Sequence, residues 1–178
     1  MKNHVLIAGP SGSGKTTLAE FFKQQGKNAI DVDLSGVGTW IDSEKNQVTA
    51  PADLGKGINE WAEDRKLEWV WNGDKLKALL AKDEELFLFG GSGNMFDFIG
   101  LFDGLYYLKA DKELVLSRLE MRLKSGKSYH EFGKTQAQRD LILSGLEWGE
   151  EKARKAGFQF IDATLTPKQI FDIICKSH

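Results

Sequence analysis

The stretch HVLIAGPSGSGKTT, residues 4–17, constrains this chain more than any other. An apolar run, Val5–Ala8, leads into a glycine-rich loop. A helical pattern follows, with Leu18, Phe21 and Phe22 on one face and Gly26 as its stop. Gly9, Gly14, Lys15 and Thr16 match G-x-x-x-x-G-K-[ST] in full, between the strand and the helix that the motif requires. The glycines let backbone N–H groups converge on phosphate oxygens, aided by the positive end of the helix dipole. Lys15 then reaches the outer phosphates, and Thr16 offers its hydroxyl to Mg²⁺. Gly9, Ser11, Gly12, Ser13, Gly14, Lys15, Thr16 and Thr17 are therefore the expected nucleotide contacts, with ATP and Mg²⁺ as the expected cofactors.

Further apolar runs of strand length occur at 28–33, 85–90, 104–110 and 158–163. Helical patterns separate them. Leu76, Leu79 and Leu80 form one apolar face, and Asp111 opens a helix carrying Leu116, Leu119 and Leu123. Thr166 and Pro167 supply an N-cap and first-turn proline for a closing helix with Ile170 and Ile174. Continuously apolar strands alternating with helices predict a three-layer αβα domain around a mostly parallel five-stranded sheet, spanning 1–178. Two stretches break the alternation. Residues 34–72 read as an acceptor-side insert and 124–138 as a lid.

The chain's 178 residues suffice for one buried core. A formal charge of −2 without any basic block argues against a nucleic-acid partner. The single cysteine, Cys175, excludes an intrachain disulfide and reads as a small apolar residue of the last helix. MKNHVLIAGP holds no apolar run long enough for a signal peptide or membrane span, so the expected compartment is the cytoplasm. The sequence leaves the oligomeric state open.

A phosphate-binding loop calls for an acid near its metal, at the tip of a neighbouring strand. LFLFGGSGN, residues 86–94, places Gly90 and Gly91 at one such tip. The acid is expected at the end of the second strand, DVD, where Asp31 and Asp33 are two apart and would project to one face. That strand end lies on the edge where ligands bind in open α/β sheets. A carboxylate there serves a metal or takes a proton from an attacking hydroxyl. Two glycines would let a small acceptor approach bare backbone N–H groups. Arg118 and Arg122, four apart on one helix face, read with Lys124, Lys127, Lys134 and Arg139 as a clamp over phosphate charge.

Taken together, GPSGSGKTT, DVD and LFGG resemble the small P-loop kinases, the shikimate- and gluconate-kinase branch most of all, with nucleoside and nucleotide kinases as wider kin. The resemblance implies ATP- and Mg²⁺-dependent transfer of a γ-phosphoryl group to a small-molecule acceptor such as a nucleoside, a nucleotide or a sugar acid. It implies Asp31 for metal, Asp33 for the acceptor hydroxyl, and Gly90 and Gly91 against the acceptor. Arg118 and Arg122 resemble the R-x-x-x-R lid entrance, and FIDAT (160–164) resembles the strand and loop that pack against adenine. The insert has one arginine, Arg65, where shikimate kinases carry an arginine-rich pocket.

The insert holds Trp40, Trp61, Trp69 and Trp71. Trp40, close behind the aspartates, is the expected ligand contact, and at least two of the four are expected to staple a small helical subdomain to the sheet. Two other functions fit the loop: a switch protein that hydrolyses ATP or GTP, and a polynucleotide 5′-end kinase. No N-K-x-D motif supports a GTPase, and the slight negative charge opposes the polynucleotide reading. Asp31, Asp33, Ser35, Gly36 and Asp42 also match part of a calcium-loop spacing. His4, His130 and His178 show no ligand spacing.

Overall fold

The computed structural model describes residues 3–51, 58–125 and 132–176. β1 (Asn3–Ala8) passes through the glycine loop into α1 (Lys15–Gln24), and β2 (Ala29–Asp31) ends in a 3-10 turn, Val32–Leu34. β3 (Gly38–Ile41), β4 (Gln47–Val48), α2 (Ile58–Asp64) and β5 (Glu68–Trp71) build the insert. The core resumes with α3 (Gly73–Lys82), β6 (Glu85–Phe89), a 3-10 stretch Met95–Leu101 and β7 (Gly104–Lys109). It closes with α4 (Lys112–Ser125), α5 (Gln136–Ser144), α6 (Leu146–Lys155), β8 (Gln159–Asp162) and α7 (Pro167–Lys176).

The central sheet runs β2-β6-β1-β7-β8 with every pairing parallel, as the apolar strands predicted. Val5–Ala8 and Leu86–Phe89 are wholly buried because helices cover both faces. On one face Val5, Ile7, Phe87 and Phe89 pack with Leu18 and Phe22 of α1, Val115 and Leu119 of α4, and Ile170 and Ile174 of α7. On the other, Leu6, Ala8, Leu86 and Leu88 pack with Leu76 and Leu80 of α3, Ala153 of α6 and Trp71. Thr166 and Gln169 cap α7 reciprocally: Gln169 N donates to Thr166 Oγ1, and Thr166 N donates to Gln169 Oε1. β1 lies between β6 and β7, so its C-terminal end opens at the crevice where the strand order switches.

Three expectations are corrected. β2 stops at Asp31, so Asp33 leaves the sheet on the 3-10 turn and shares no strand face with it. The insert is no helical subdomain. Its frame is an antiparallel sheet, β4-β3-β5, in which Trp40 faces Trp69 across the ladder. The apolar face of α4 runs through Val115 and Leu119, while Leu123 is 40% exposed.

β3 also separates the residues of the calcium-like spacing. Asp42 sits at the β3–β4 turn, where its carboxylate accepts from Glu44 N and Asn46 N and is held below the ordinary carboxylate range. Among the described residues no cluster of three metal-ligating side chains forms. Within the expected lid, Thr135 caps α5 and Gln138 Oε1 accepts from Gly133 N and Lys134 N. Lys127 and His130, with His178, lie outside the described residues. Among the described residues no helix is long and apolar enough to cross a membrane.

Candidate active site

At the C-terminal end of β1, Gly14 takes φ 99°, a left-handed conformation that a side chain would strain, and α1 starts there without a side-chain cap. The helix therefore presents its N-terminal dipole to the loop. Ser13 is buried, and its Oγ has no hydrogen-bond partner among the described residues. Lys15 is half-buried and folds back over the loop, its Nζ donating to Gly9 O at 2.7 Å and Pro10 O at 2.8 Å. Desolvation lowers its pKa to about 8. Asp33 and Asp31 pull the value up, and the charge of Arg122 pushes it down. A buried hydroxyl without a partner among the described residues, an uncapped helix and a desolvated ammonium all fit the oxygens of a polyphosphate. Ser11 and Thr17 flank this cradle, Ser11 half-buried and Thr17 exposed.

Asp31, which ends β2, reaches the phosphate loop. Thr16 Oγ1 donates to Asp31 Oδ2 at 2.8 Å, and Asp31 is 6% exposed. Asp31 Oδ1 accepts from Asp33 N at 3.2 Å, which ends the strand and turns the chain. Asp33 is exposed, and Trp69 Nε1 donates to its Oδ1 at 3.1 Å. The Trp69 ring fits because residue 38 is glycine: a Cβ at Gly38 would stand 2.0 Å from that ring. Trp40 packs against the same ring at 4.9 Å. Trp69 is thus the tryptophan that meets Asp33, with Trp40 packed behind it. Trp61 and Trp71 are buried, as expected for packing residues.

Gly90 is engaged within the fold, where a bare N–H was expected. Gly90 N donates to Ile7 O at 3.1 Å, so that N–H is not bare. A Cβ at Gly90 would stand 2.1 Å from Val32 Cγ1, so glycine is required for the 3-10 turn to lie against the end of β6. Gly91 follows, with Met95 Sδ 3.3 Å from where its Cβ would be. Beyond it, Asn94 Oδ1 accepts from Trp71 N at 2.9 Å and Asn94 Nδ2 donates to Trp71 O at 3.0 Å. Asn94 thereby pairs with β5 as a strand residue would and ties the insert to the core. Nothing in the sequence around Asn94 marks it for this role.

α4 covers the loop from above. Val115, Arg118 and Leu119 share a face, and a Cβ at Gly12 would stand 3.3 Å from Val115 O. Arg118 Nη1 donates to Ser13 O at 2.8 Å and Gly12 O at 3.4 Å, and Nη2 to Ala163 O at 2.7 Å. The expected pair of clamping arginines therefore divides. Arg118 braces the phosphate loop against the turn after β8, where FIDAT was expected near a base. Arg122, one turn on, is partly desolvated, which lowers its pKa, and its charge is felt by Lys15.

A glycine loop opening a helix, a lysine over it and a threonine–aspartate pair at the switch point define a nucleotide-phosphate-binding α/β protein of the P-loop fold. The profile of the AAA domain matches residues 5–139, and the chain belongs to that family. No curated protein matches the chain. Among solved structures, deoxyadenosine kinase from M. mycoides with bound dATP is similar at 17% identity and TM-score 0.55, covering 99% of this chain and 98% of the other. Shikimate kinase from Acinetobacter baumannii in complex with shikimate is similar at 14% identity and TM-score 0.57, covering 99% and 95%. A gluconokinase from Sinorhizobium meliloti is similar at 16% identity and TM-score 0.50, covering 94% and 86%. At these identities the likeness is one of fold. It is the fold expected from the sequence.

Proposed function

We propose that the chain is an ATP- and Mg²⁺-dependent kinase that phosphorylates a hydroxyl group of a small molecule. The observation that carries this reading is the run Thr16–Asp31–Asp33–Trp69, which joins the phosphate loop to the insert through one line of hydrogen bonds. The loop N–H groups, Ser13 and Lys15 hold the polyphosphate and neutralise its charge. Thr16 and Asp31 would hold Mg²⁺, which would supply further neutralisation of phosphate charge. Asp33 orients the acceptor hydroxyl and takes its proton as that oxygen bonds to the γ-phosphorus and the bond to the bridging oxygen breaks, releasing ADP. Arg122 stabilises charge on the transferring group, while Arg118 keeps the loop in shape. The likeness in fold to three small-molecule kinases supports the same reading.

The test is ADP release from Mg·ATP by the purified chain, with ATP alone and with pools of nucleosides, nucleoside monophosphates, sugar acids and shikimate. Release that one pool raises well above the ATP-only rate, and that Lys15→Ala abolishes, is the expected result. Slow release that no pool alters would favour a hydrolytic switch instead.

A further inference from the structure

We infer that the acceptor is an electrically neutral, ring-bearing hydroxyl compound of the nucleoside type, selected against carboxylic and phosphorylated acids by the Trp40–Trp69–Asp33 edge of the insert. This rests on the kinase reading above and narrows it. Three independent features converge on it: charge, aromatic surface and an unsatisfied donor.

Among the described residues the acceptor side carries more negative than positive charge. Asp31 and Asp33 already lie there, and the described insert residues, 34–51 and 58–72, carry six acidic against three basic side chains. Each of those three cations is placed elsewhere. Lys45 pairs with Glu68 at 2.9 Å, where β3 ends. Arg65 lies 5.4 Å from the Trp61 ring and donates to Trp61 O at 3.2 Å. Lys66 is exposed on the turn between α2 and β5. The groups that favour anions, Lys15 and Arg122, act on one another at the phosphate loop, where the nucleotide's own charge is taken up. An acidic acceptor would bring its charge beside two carboxylates and the γ-phosphoryl group, while the described cations of the insert are placed elsewhere.

The surface beside Asp33 is aromatic. Trp40 and Trp69 are both half-buried, with rings 4.9 Å apart and tilted by 60°. Indole faces of this kind stack on flat rings, and Trp69 is oriented by its bond to Asp33. The third feature is Trp40 Nε1, which is buried with no hydrogen-bond partner among the described residues. A buried indole N–H without an acceptor is a standing cost. A ring nitrogen or carbonyl oxygen of a neutral heterocycle removes it, while the sugar hydroxyl of the same molecule meets the carboxylate of Asp33.

Equilibrium binding with Mg·ADP filling the phosphate loop tests this separately from turnover. Quenching of tryptophan fluorescence, checked by calorimetry, would be compared for four nucleosides, their 5′-monophosphates, shikimate and gluconate. At least one nucleoside is expected to bind about 30-fold or more tightly than its own monophosphate and than either acid, from like-charge repulsion. Trp40→Phe, which keeps an aromatic ring but removes the N–H, should weaken that nucleoside about tenfold, the scale of one hydrogen bond. Trp69→Phe should quench less on binding and lose affinity while circular dichroism is unchanged. Equal or tighter binding of a monophosphate or an acid overturns the inference, and so does the absence of nucleoside binding at millimolar concentration. A nucleoside that binds as described but raises no ADP release would sink the kinase reading and leave the site's preference for neutral ligands standing.

Discussion

Thr16 Oγ1 donates to Asp31 Oδ2 across 2.8 Å, so the hydroxyl at the end of the phosphate loop and the carboxylate at the end of β2 share one small volume. This contact places the acid that the β6 tip lacks. Asp31 is buried and fixes the turn, while Asp33 is exposed beyond it. The two carboxylates therefore differ in environment, and the proposed division, Asp31 toward the metal and Asp33 toward the acceptor, follows that difference.

Replacing each aspartate should separate these roles. Asp33→Asn is expected to lower kcat by roughly 10²-fold or more, the range of general-base contributions, with ATP affinity changed only a few-fold. Asp31→Asn should raise the Mg²⁺ concentration needed for half-maximal rate. Steady-state kinetics with Mg²⁺ varied at fixed ATP measures both, and an unchanged kcat in Asp33→Asn would refute the assignment.

Lys15 gives the site a pH dependence. In the free chain its pKa is about 8, against an ordinary 10.5. Between those values the unfolded chain holds a proton that the folded one has released, so this group makes stability rise with pH across the window. Phosphate binding favours the charged lysine. Nucleotide binding above pH 8 should therefore take up a proton, and affinity should fall as pH rises. Calorimetry in buffers of different ionisation enthalpy checks the uptake, and Lys15→Met should abolish it.

Arg118 and Arg122 should respond differently to truncation. Arg118→Ala leaves the carbonyls of Ser13 and Ala163 without their donor and is expected to destabilise the fold by about 1–3 kcal/mol. Arg118→Lys should not restore it, because an ammonium does not reproduce the guanidinium fork that spans both loops. Arg122→Ala should lower kcat with little change in thermal midpoint. Thermal denaturation beside kinetics separates the two. Equal loss of stability in both variants would contradict the division.

Gly90→Ala is expected to cost roughly 3 kcal/mol, from overpacking against Val32 and from backbone strain at φ 152°. Adding Val32→Ala should return part of that loss. Denaturant unfolding of both single variants and the double variant measures the coupling, and strict additivity would show that the two residues do not compete for space.

The sequence reading reached the sheet, both helical layers and the phosphate loop, because each rests on local pattern: apolar runs, a glycine motif, an N-cap with a first-turn proline. It failed where one side-chain bond or a distant residue decides. DVD alternates like a strand, but the Asp31 carboxylate binds the next-but-one N–H and ends β2 there. GTWI and EWVW have the aromatic and β-branched content of strands, yet the polar residues between them masked the antiparallel pairing. Trp69 meets Asp33 from 36 positions away, in space left by Gly38, a relation that no spacing rule reports. The demand for glycine at position 90 comes from Val32 on another strand's exit turn.

The most direct test of the central claim is the fate of the γ-phosphoryl group. The chain would be given Mg·ATP labelled at the γ-position together with the nucleoside that binds best, and label would be counted in the acceptor and in inorganic phosphate. The account predicts that most label appears in the phosphorylated nucleoside, and that none does with Asp33→Asn or Lys15→Ala at matched times. Label found only in inorganic phosphate, at a rate indifferent to the nucleoside, would contradict it.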